Sequence, residues 1–348
     1  MNKRGVPYQE AGVNLESAAS LVQRIKPIVE TTHTKGVVSD IGLFAGMFKP
    51  DFHAMSRPLL VSSTDGVGTK LKLAFELETH DSIGIDLVGM NVNDIVVHGA
   101  QPLFFLDYLA VDQLRLDQAE AIISGIAQGC RLANCSLLGG ETAEMPGFYA
   151  PNEYDLSGFC VGLVDESNVI DGSNIGINNS VIGLAASGPH ANGYSLIRKI
   201  LRENGNPLWD TLSGSSQTIG QALLEPTRIY VKSILNLIRD FDIRGMAHIT
   251  GGGFYDNLPR ILPNGVRVEL YFPSWPKPPI FDWLQKQGGL SWPEMLQTFN
   301  CGIGMVLVCP KRQTEDILQR LKALDQEAWL IGKVTAGKQG QERVQIRF

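Results

Sequence analysis

Val61–Lys70 reads VSSTDGVGTK. Pro58, Leu59 and Leu60 precede it, so a β-rich run leads into a carboxylate, two glycines, a hydroxyl and a lysine: Asp65, Gly66, Gly68, Thr69 and Lys70. A strand that delivers a carboxylate into a glycine turn can place a metal beside a phosphate. Lys70 and Thr69 add a positive point charge and a hydroxyl. The same residues also suit an ordinary tight turn capped by Asp65. The flanking chain has to decide.

Downstream, His80–Gly99 reads as a helix with Ile83, Leu87, Met90 and Val97 on its apolar side. Asp86, Asn93 and Asp94 fall close together on its wheel. Mid-helix Asn and Asp carry a propensity penalty, so the run Asn91-Val92-Asn93-Asp94 needs a compensating partner, structural or chemical. Pro102 closes that unit. A strand at Leu103–Val111 and a helix at Asp117–Ala133 follow. Ser136–Thr142, SLLGGET, repeats the opening pattern, with Glu141 beside glycine after an apolar strand. With a further strand at Leu156–Val164, the order β-α-β-α-β-β predicts an α/β sheet with carboxylates at strand and helix ends. Upstream, Asn14 suits a cap for a helix that Pro27 should kink or end near Lys26. Gly36–Phe48, GVVSDIGLFAGMF, reads as a loop that orders on ligand binding.

Asp165–Asn179 is polar and rich in Gly, Asn and Ser. It divides the chain into domains at 1–170 and 171–348. Strand Val181–Ala186 then enters SGPHANGYSLIRKIL, Ser187–Leu201. Backbone N–H groups at such a helix start favour an anion, with His190, Asn192, Gly193 and Ser195 at hand; purely structural capping competes. Pro226–Asp240 reads as a helix with Pro226 in its first turn and with Arg228 and Lys232 solvated. His248–Gly253, HITGGG, offers a second anion loop of Thr250, Gly251, Gly252 and Gly253; three glycines in a row cost chain entropy, which close approach to a ligand would explain. Tyr271–Leu290, with four prolines and two tryptophans, reads as a connecting segment. Phe299–Cys309 is a buried strand, followed by a helix at Gln313–Leu324 and strands at Trp329–Val334 and Arg343–Phe348.

The 348 residues fit about two domains of ~150 residues each. A hydrophobic fraction of 44% with 19% charged residues is that of a folded globular chain. A net charge of −6 without a long basic block argues against a nucleic-acid partner. The five cysteines form no CxxC pair and do not cluster with histidine at zinc-ligand spacings, so they read as reduced core thiols. The start MNKRGVPYQEAG has no apolar run, and no stretch of ~18 apolar residues occurs. A cytoplasmic protein without membrane contact is expected.

Three carboxylates (Asp65, Asp94, Glu141), Lys70 and two glycine–helix anion sites together suit Mg²⁺ and a triphosphate. No GxxxxGK[ST], GxGxxG after a strand, GxSxG or HExxH is present. The pattern is that of a Mg-nucleotide enzyme of phosphoryl transfer.

At this point the chain resembles the phosphoribosylformylglycinamidine cyclo-ligase (aminoimidazole ribonucleotide synthetase) family over nearly its full length. The resemblance is carried by YQEAGV at Tyr8–Val13, STDGVGTK at Ser63–Lys70, VND at Val92–Asp94, PLFFLDY at Pro102–Tyr108, GGETAEMP at Gly139–Pro146, SGPHANGYSL at Ser187–Leu196, PTRIYVK at Pro226–Lys232, HITGGG at His248–Gly253 and FNCGIGM at Phe299–Met305. DGVGTK alone marks only a wider superfamily that includes selenophosphate synthetase and thiamin-phosphate kinase. The former usually needs a reactive cysteine near its N-terminus, whereas the first cysteine here is Cys130; the latter is shorter and lacks this HITGGG region.

The resemblance implies two α/β domains, with the N-terminal mixed sheets of two subunits closing a β-barrel across a homodimer. It implies a ligase of purine biosynthesis that converts formylglycinamidine ribonucleotide and ATP to 5-aminoimidazole ribonucleotide, ADP and phosphate through a phosphorylated formyl oxygen. Transient contact with neighbouring purine-pathway enzymes is a further implied partnership, and a monovalent cation a further cofactor beside Mg²⁺. Asp65, Asp94 and Glu141 carry over as metal acids. Lys70, with Gly66, Gly68, Thr69, Asn93 and Lys26, carries over to ATP and phosphate. His190, Asn192, Gly193, Ser195 and Thr250–Gly253 carry over to substrate. Asp65, Lys70, His190 and His248 are the catalytic candidates, and either histidine could carry the proton of cyclisation. One departure is SDIGLFAGMF at Ser39–Phe48, where many relatives are denser in glycine.

Overall fold

The computed structural model describes residues 15–53, 55–338 and 340–348. The expected cap at Asn14 and the motif at Tyr8–Val13 lie outside the described residues. The first half holds α1 (Leu15–Glu30), β1 (Pro58–Gly66), α2 (Leu71–Glu76), α3 (Ile83–Val96), β2 (Gln101–Val111), α4 (Leu116–Ala133), β3 (Ser136–Glu144) and β4 (Tyr154–Asp165). Its four strands run in the order β1-β4-β2-β3, with β2 and β3 parallel and β4 antiparallel to both its neighbours. Helices α3 and α4 pack on one face through a close crossing: a Cβ on Gly84 would sit 2.2 Å from the Ile126 nitrogen. Asn134, in the left-handed conformation, ends α4 and turns the chain into β3.

The second half holds β5 (Ser180–Ala185), α5 (Tyr194–Glu203), α6 (Ile219–Leu224), α7 (Val231–Asp240), β6 (Gly245–His248), α8 (Gly253–Asn257), β7 (Val266–Tyr271), α9 (Pro279–Gly288), α10 (Trp292–Thr298), β8 (Ile303–Cys309), α11 (Thr314–Ala323), β9 (Ala328–Ala336) and β10 (Val344–Arg347). Its sheet runs β10-β7-β9-β5-β8-β6. Strands β5 and β8 are buried along their whole length, as central strands covered on both faces must be. The protein is therefore a mixed α/β chain with two sheets, the coarse architecture its sequence predicts.

Four local expectations need correction. Helix α1 runs through Pro27 to Glu30 instead of ending near Lys26; its end is fastened by the buried Thr32, whose Oγ1 donates to the Val29 carbonyl at 2.7 Å and accepts the Leu137 N–H at 2.9 Å. Pro102 lies inside β2, where the register against β4 shifts between Pro102 and Phe104, the kind of irregularity that tolerates a missing donor. Tyr271–Leu290 contains helix α9, started by Pro279 and buried through Ile280, Phe281 and Leu284. Helix α7 begins at Val231, not Pro226, because the backbone of 226–230 is committed elsewhere. Thr227 N–H donates to Asp86 Oδ1 at 2.8 Å, Tyr230 N–H donates to Asn93 Oδ1 at 3.0 Å, and the Arg228 carbonyl accepts Asn93 Nδ2 at 2.9 Å.

Those contacts belong to the seam between the two sheets. At its centre the Lys70 ammonium, fully buried, meets Asp86 Oδ2 at 2.7 Å and donates to the carbonyls of His190 and Glu225, each at 2.9 Å. Asp86 is equally buried and takes Thr227 Oγ1 at 2.6 Å on its other oxygen. Burial pulls the lysine pKa down and the carboxyl pKa up, each opposed by the partner's charge. Breaking one side of a buried pair leaves an uncompensated charge. Lys70→Met should therefore lower unfolding free energy by about 3–5 kcal/mol in urea titrations, and adding Asp86→Asn should recover part of that loss. An unchanged midpoint for Lys70→Met would contradict the assignment.

Candidate active site

Helix α3 positions most of the polar groups at the seam. Asp86, Met90, Asn93 and Asp94 recur at helical spacing, so one side of the helix looks across at the second half. Asp94, half exposed, accepts from His248 Nδ1 at 2.8 Å. His248 ends β6 and is nearly buried; its Nε2 lies 3.5 Å from Asn93 Nδ2. Asp65 comes from the end of β1, where its Oδ1 accepts the Gly66 N–H at 2.8 Å. Its carboxyl pKa is raised, first by partial loss of hydration, against which the Gly66 N–H works; the charge of Asp94 adds to the rise and His248 opposes it. Asp65, Asp94 and His248 thus share one electrostatic neighbourhood.

The two anion loops meet the same neighbourhood. Thr69 Oγ1 and Ser195 Oγ approach to 3.3 Å, joining the opening stretch to the start of α5. Asn192 Oδ1 accepts the Gly251 N–H at 3.0 Å, and its Nδ2 lies 3.8 Å from Met90 Sδ. The exposed polar groups of the cleft are therefore Asp65, Thr69, Asp94, Asn192, Ser195 and Gly251, with Gly66 and the open, positive-φ Gly68 beside them.

Several expected site residues do other work. Lys70 and Asn93 are fully buried and have their hydrogen-bonding groups committed to the seam, so neither presents a group to a phosphate. His190 is fully buried with φ of 60°, and burial, then the charges of His248, Lys70 and Arg228, push its pKa well below the usual histidine value. A neutral, enclosed imidazole packs the seam; a Cβ on Gly304 would sit 2.4 Å from its Cε1. Gly193 is required by packing, since a Cβ there would sit 2.3 Å from the Phe299 ring. Gly252 and Gly253 have positive φ, and Gly253 abuts the Leu296 carbonyl, so only Gly251 of the three is open to a ligand. Thr250 is held near Asn257, at 3.4 Å. Lys26 pairs with Asp40 at 2.9 Å on the surface of α1.

Glu141 does not join Asp65 and Asp94. Strand β3 is three places from β1 in the sheet, and Glu141 pairs with Tyr108 on the face turned away from α3. Among the described residues no group of three or more His, Cys, Asp or Glu stands ready to hold a metal. Two carboxylates, Asp65 and Asp94, still match Mg²⁺ bound chiefly by substrate phosphates; the three-carboxylate set is not assembled within one chain.

Sequence inspection missed Asp107. It shares a row across the sheet with Asp65: Asp65 pairs with Gly158, Gly158 with Asp107, and Asp107 with Gly140. Its side chain lies over Gly140, where a Cβ would come within 2.2 Å of its Oδ1. Burial, reinforced by Glu141, pushes its pKa up to about 7. The signal was available, because Asp107 alternates in register with the buried Phe105 and Leu109.

Comparison with known proteins identifies the family of the chain. Residues 51–164 match the N-terminal domain, and residues 176–345 the C-terminal domain, of the family described as AIR synthase related protein. The chain belongs to the AIR synthase family. It is 55% identical over 346 residues to the phosphoribosylformylglycinamidine cyclo-ligase of Oleidesulfovibrio alaskensis, covering 99% of both chains. The corresponding protein of Lawsonia intracellularis is 53% identical over 345 residues, again covering 99% of both. The AIR synthase fold extends further. A thiamine-monophosphate kinase from Stenotrophomonas maltophilia superposes with a TM-score of 0.68 at 18% identity, covering 94% of this chain and 95% of that one. The hydrogenase maturation protein HypE, solved in complex with ATP, has a TM-score of 0.68 at 15% identity, covering 97% and 92%.

The raised pKa of Asp107 has a signed consequence. Between the unfolded value of about 3.9 and the folded value of about 7, the native state holds the extra proton, so stability falls as pH rises through that window and is flat above it. Asp107→Asn should flatten this slope of up to about 1.4 kcal/mol per pH unit. Urea unfolding at pH 5 and pH 8 measures it; equal slopes in both proteins would place the titration elsewhere.

Proposed function

We propose that the chain catalyses the ATP-dependent cyclisation of formylglycinamidine ribonucleotide to 5-aminoimidazole ribonucleotide, releasing ADP and phosphate, as a cytoplasmic enzyme of purine biosynthesis. The observation that carries this reading is the joining of Asp65, Asp94 and His248 to Thr69–Ser195 and Asn192–Gly251 at one seam. In this reading residues 1–170 bind ATP and metal and form the subunit contact, and residues 171–348 supply the substrate loops.

An amide oxygen leaves poorly, so its transfer to phosphate provides the driving force for ring closure. Mg²⁺ held by Asp65 and Asp94 would supply neutralisation of charge on the phosphoryl group. The hydroxyls of Thr69 and Ser195, 3.3 Å apart, orient substrate across the cleft, while Asn192 Oδ1 holds the Gly251 N–H and so positions that loop. His248 Nδ1 fixes one oxygen of Asp94, whose side chain stays 45% exposed. Of the two histidines, His248 is the proton carrier in this scheme, because His190 is enclosed and neutral.

A homodimer is part of the proposal. The helices of the first half cover one face of its sheet, and the other presents Leu60 (68% exposed), Phe159 (44%) and Tyr108 (38%). An apolar face of that kind suits a second copy that closes the sheets into a barrel. Among the described residues no helix is long and apolar enough to cross a membrane.

Purified protein with formylglycinamidine ribonucleotide, ATP and Mg²⁺ should yield the aminoimidazole product. His248→Gln should lower kcat by about 10²–10⁴-fold while leaving the unfolding midpoint nearly intact. A variant with wild-type kcat would remove His248 from the mechanism. Phe159→Glu should convert the dimer to monomer in light scattering, and a dimer that persists would move the interface elsewhere.

A further inference from the structure

The far edge of the second sheet carries a site that the cleft does not use. Val344 on β10 pairs with Val268 on β7, and Val268 N–H donates to the Arg343 carbonyl at 2.9 Å. Arg343 and Arg267 therefore lie side by side one residue earlier, on the same face of the sheet. Thr335 on β9 pairs with Arg267 and continues the row. Like charges placed opposite each other on adjacent strands repel, and both guanidiniums are half-buried. Neither forms an ion pair among the described residues. Glu269, two residues along, is taken by Arg347 at 2.7 Å, and the exposed Glu342 bridges to neither arginine.

The hydrogen bonding is also incomplete. Nε of Arg267 and Nε of Arg343 are buried without partners, as are Thr335 Oγ1 and Gln345 Oε1 on the same face. Native structures rarely leave four such groups together. Arg343 Nη2 is committed to the carbonyls of Leu262 and Pro263 at 2.5 and 3.0 Å, which fixes its guanidinium. Among the described residues the Arg267 side chain has no hydrogen-bond partner at Nε. Both line a cavity of about 510 Å³, rimmed by turns at Gly265 and Gly340, with Lys338 at its mouth. Four strand spacings separate β7 from β6, roughly 19 Å at ~4.8 Å each, so the cavity is remote from His248.

We propose that this cavity is a binding site for a phosphate-class oxyanion, seated on the paired guanidiniums of Arg267 and Arg343. A planar guanidinium presents N–H groups in the geometry that phosphate oxygens accept. A bound dianion relieves the repulsion between the two arginines that line the cavity. The anion is free phosphate or the phosphate of a phosphomonoester.

The test uses the full chain labelled with ¹⁵N-arginine and titrated at constant ionic strength with inorganic phosphate, then with ribose 5-phosphate. Signals are assigned with Arg267→Gln and Arg343→Lys. The Nε–Hε signals of Arg267 and Arg343 should shift and saturate, and the tighter of the two probes identifies the source. Arg267→Gln should weaken the Arg343 response at least tenfold. In phosphate-free buffer the same variant should melt at the wild-type temperature or above, since one of two facing like charges is gone. A shift that never saturates (an adventitious ion only), an undiminished response in Arg267→Gln, or a lower melting temperature of that variant without phosphate would each overturn the proposal. None of these readouts depends on turnover, so they stand apart from the cyclo-ligase reading.

Discussion

The buried pair of Lys70 and Asp86 is the constraint on which the rest of the seam depends. Two opposite charges have left water, and their attraction is supported by hydrogen bonds to Asp86 Oδ1 and from the Lys70 ammonium, while Asp86 Oδ2 meets only the ammonium charge. Lys70 spends its other two N–H bonds on the carbonyls of His190 and Glu225, and Asp86 takes Thr227 twice. Four segments of sequence are thereby fixed at one point: the glycine turn after β1, helix α3, the loop before α5 and the segment before α7. Such a pair contributes less to net stability than to the uniqueness of the arrangement, because a slipped seam would strand a charge.

That arrangement explains why the exposed cleft residues are few. Helix α3 serves as a ruler. Asp86 and Asn93 point into the seam and hold the extended segment 227–230, whereas Met90 and Asp94 meet Asn192 and His248 at the cleft. The glycines follow the same division. Gly193, Gly253 and Gly304 exist so that Phe299, Leu296, His190 and Tyr230 can approach closely, and Gly68 and Gly251 remain open. Groups that look alike in a motif are thus divided between holding the fold and facing a ligand.

The elements that were legible in the sequence were those with a strong local signal. Asp65 at a strand end, the α3 helix and the paired loops at Ser187 and His248 declare themselves through periodicity and glycine. The start of α7 was misplaced because Asp86 and Asn93, distant in sequence, hold the backbone that would otherwise form its first turn. Asp107 was overlooked although its register places it among buried residues, because a single acid in an apolar strand resembles an edge position until the pairing is known. The cysteines behaved as expected: all five are buried and free.

By itself the sequence determined the α/β class, the two sheets and the identity of most polar residues that gather at the seam, because these follow from hydrophobic period and turn chemistry within short windows. Only the tertiary structure decided what each residue does there. Whether Lys70 meets a phosphate or a buried aspartate, and whether His190 or His248 pairs with Asp94, depends on burial and on partners up to 155 residues away. The same holds for Glu141, which local pattern groups with Asp65 but which strand order and the two-residue pleat place on the opposite face.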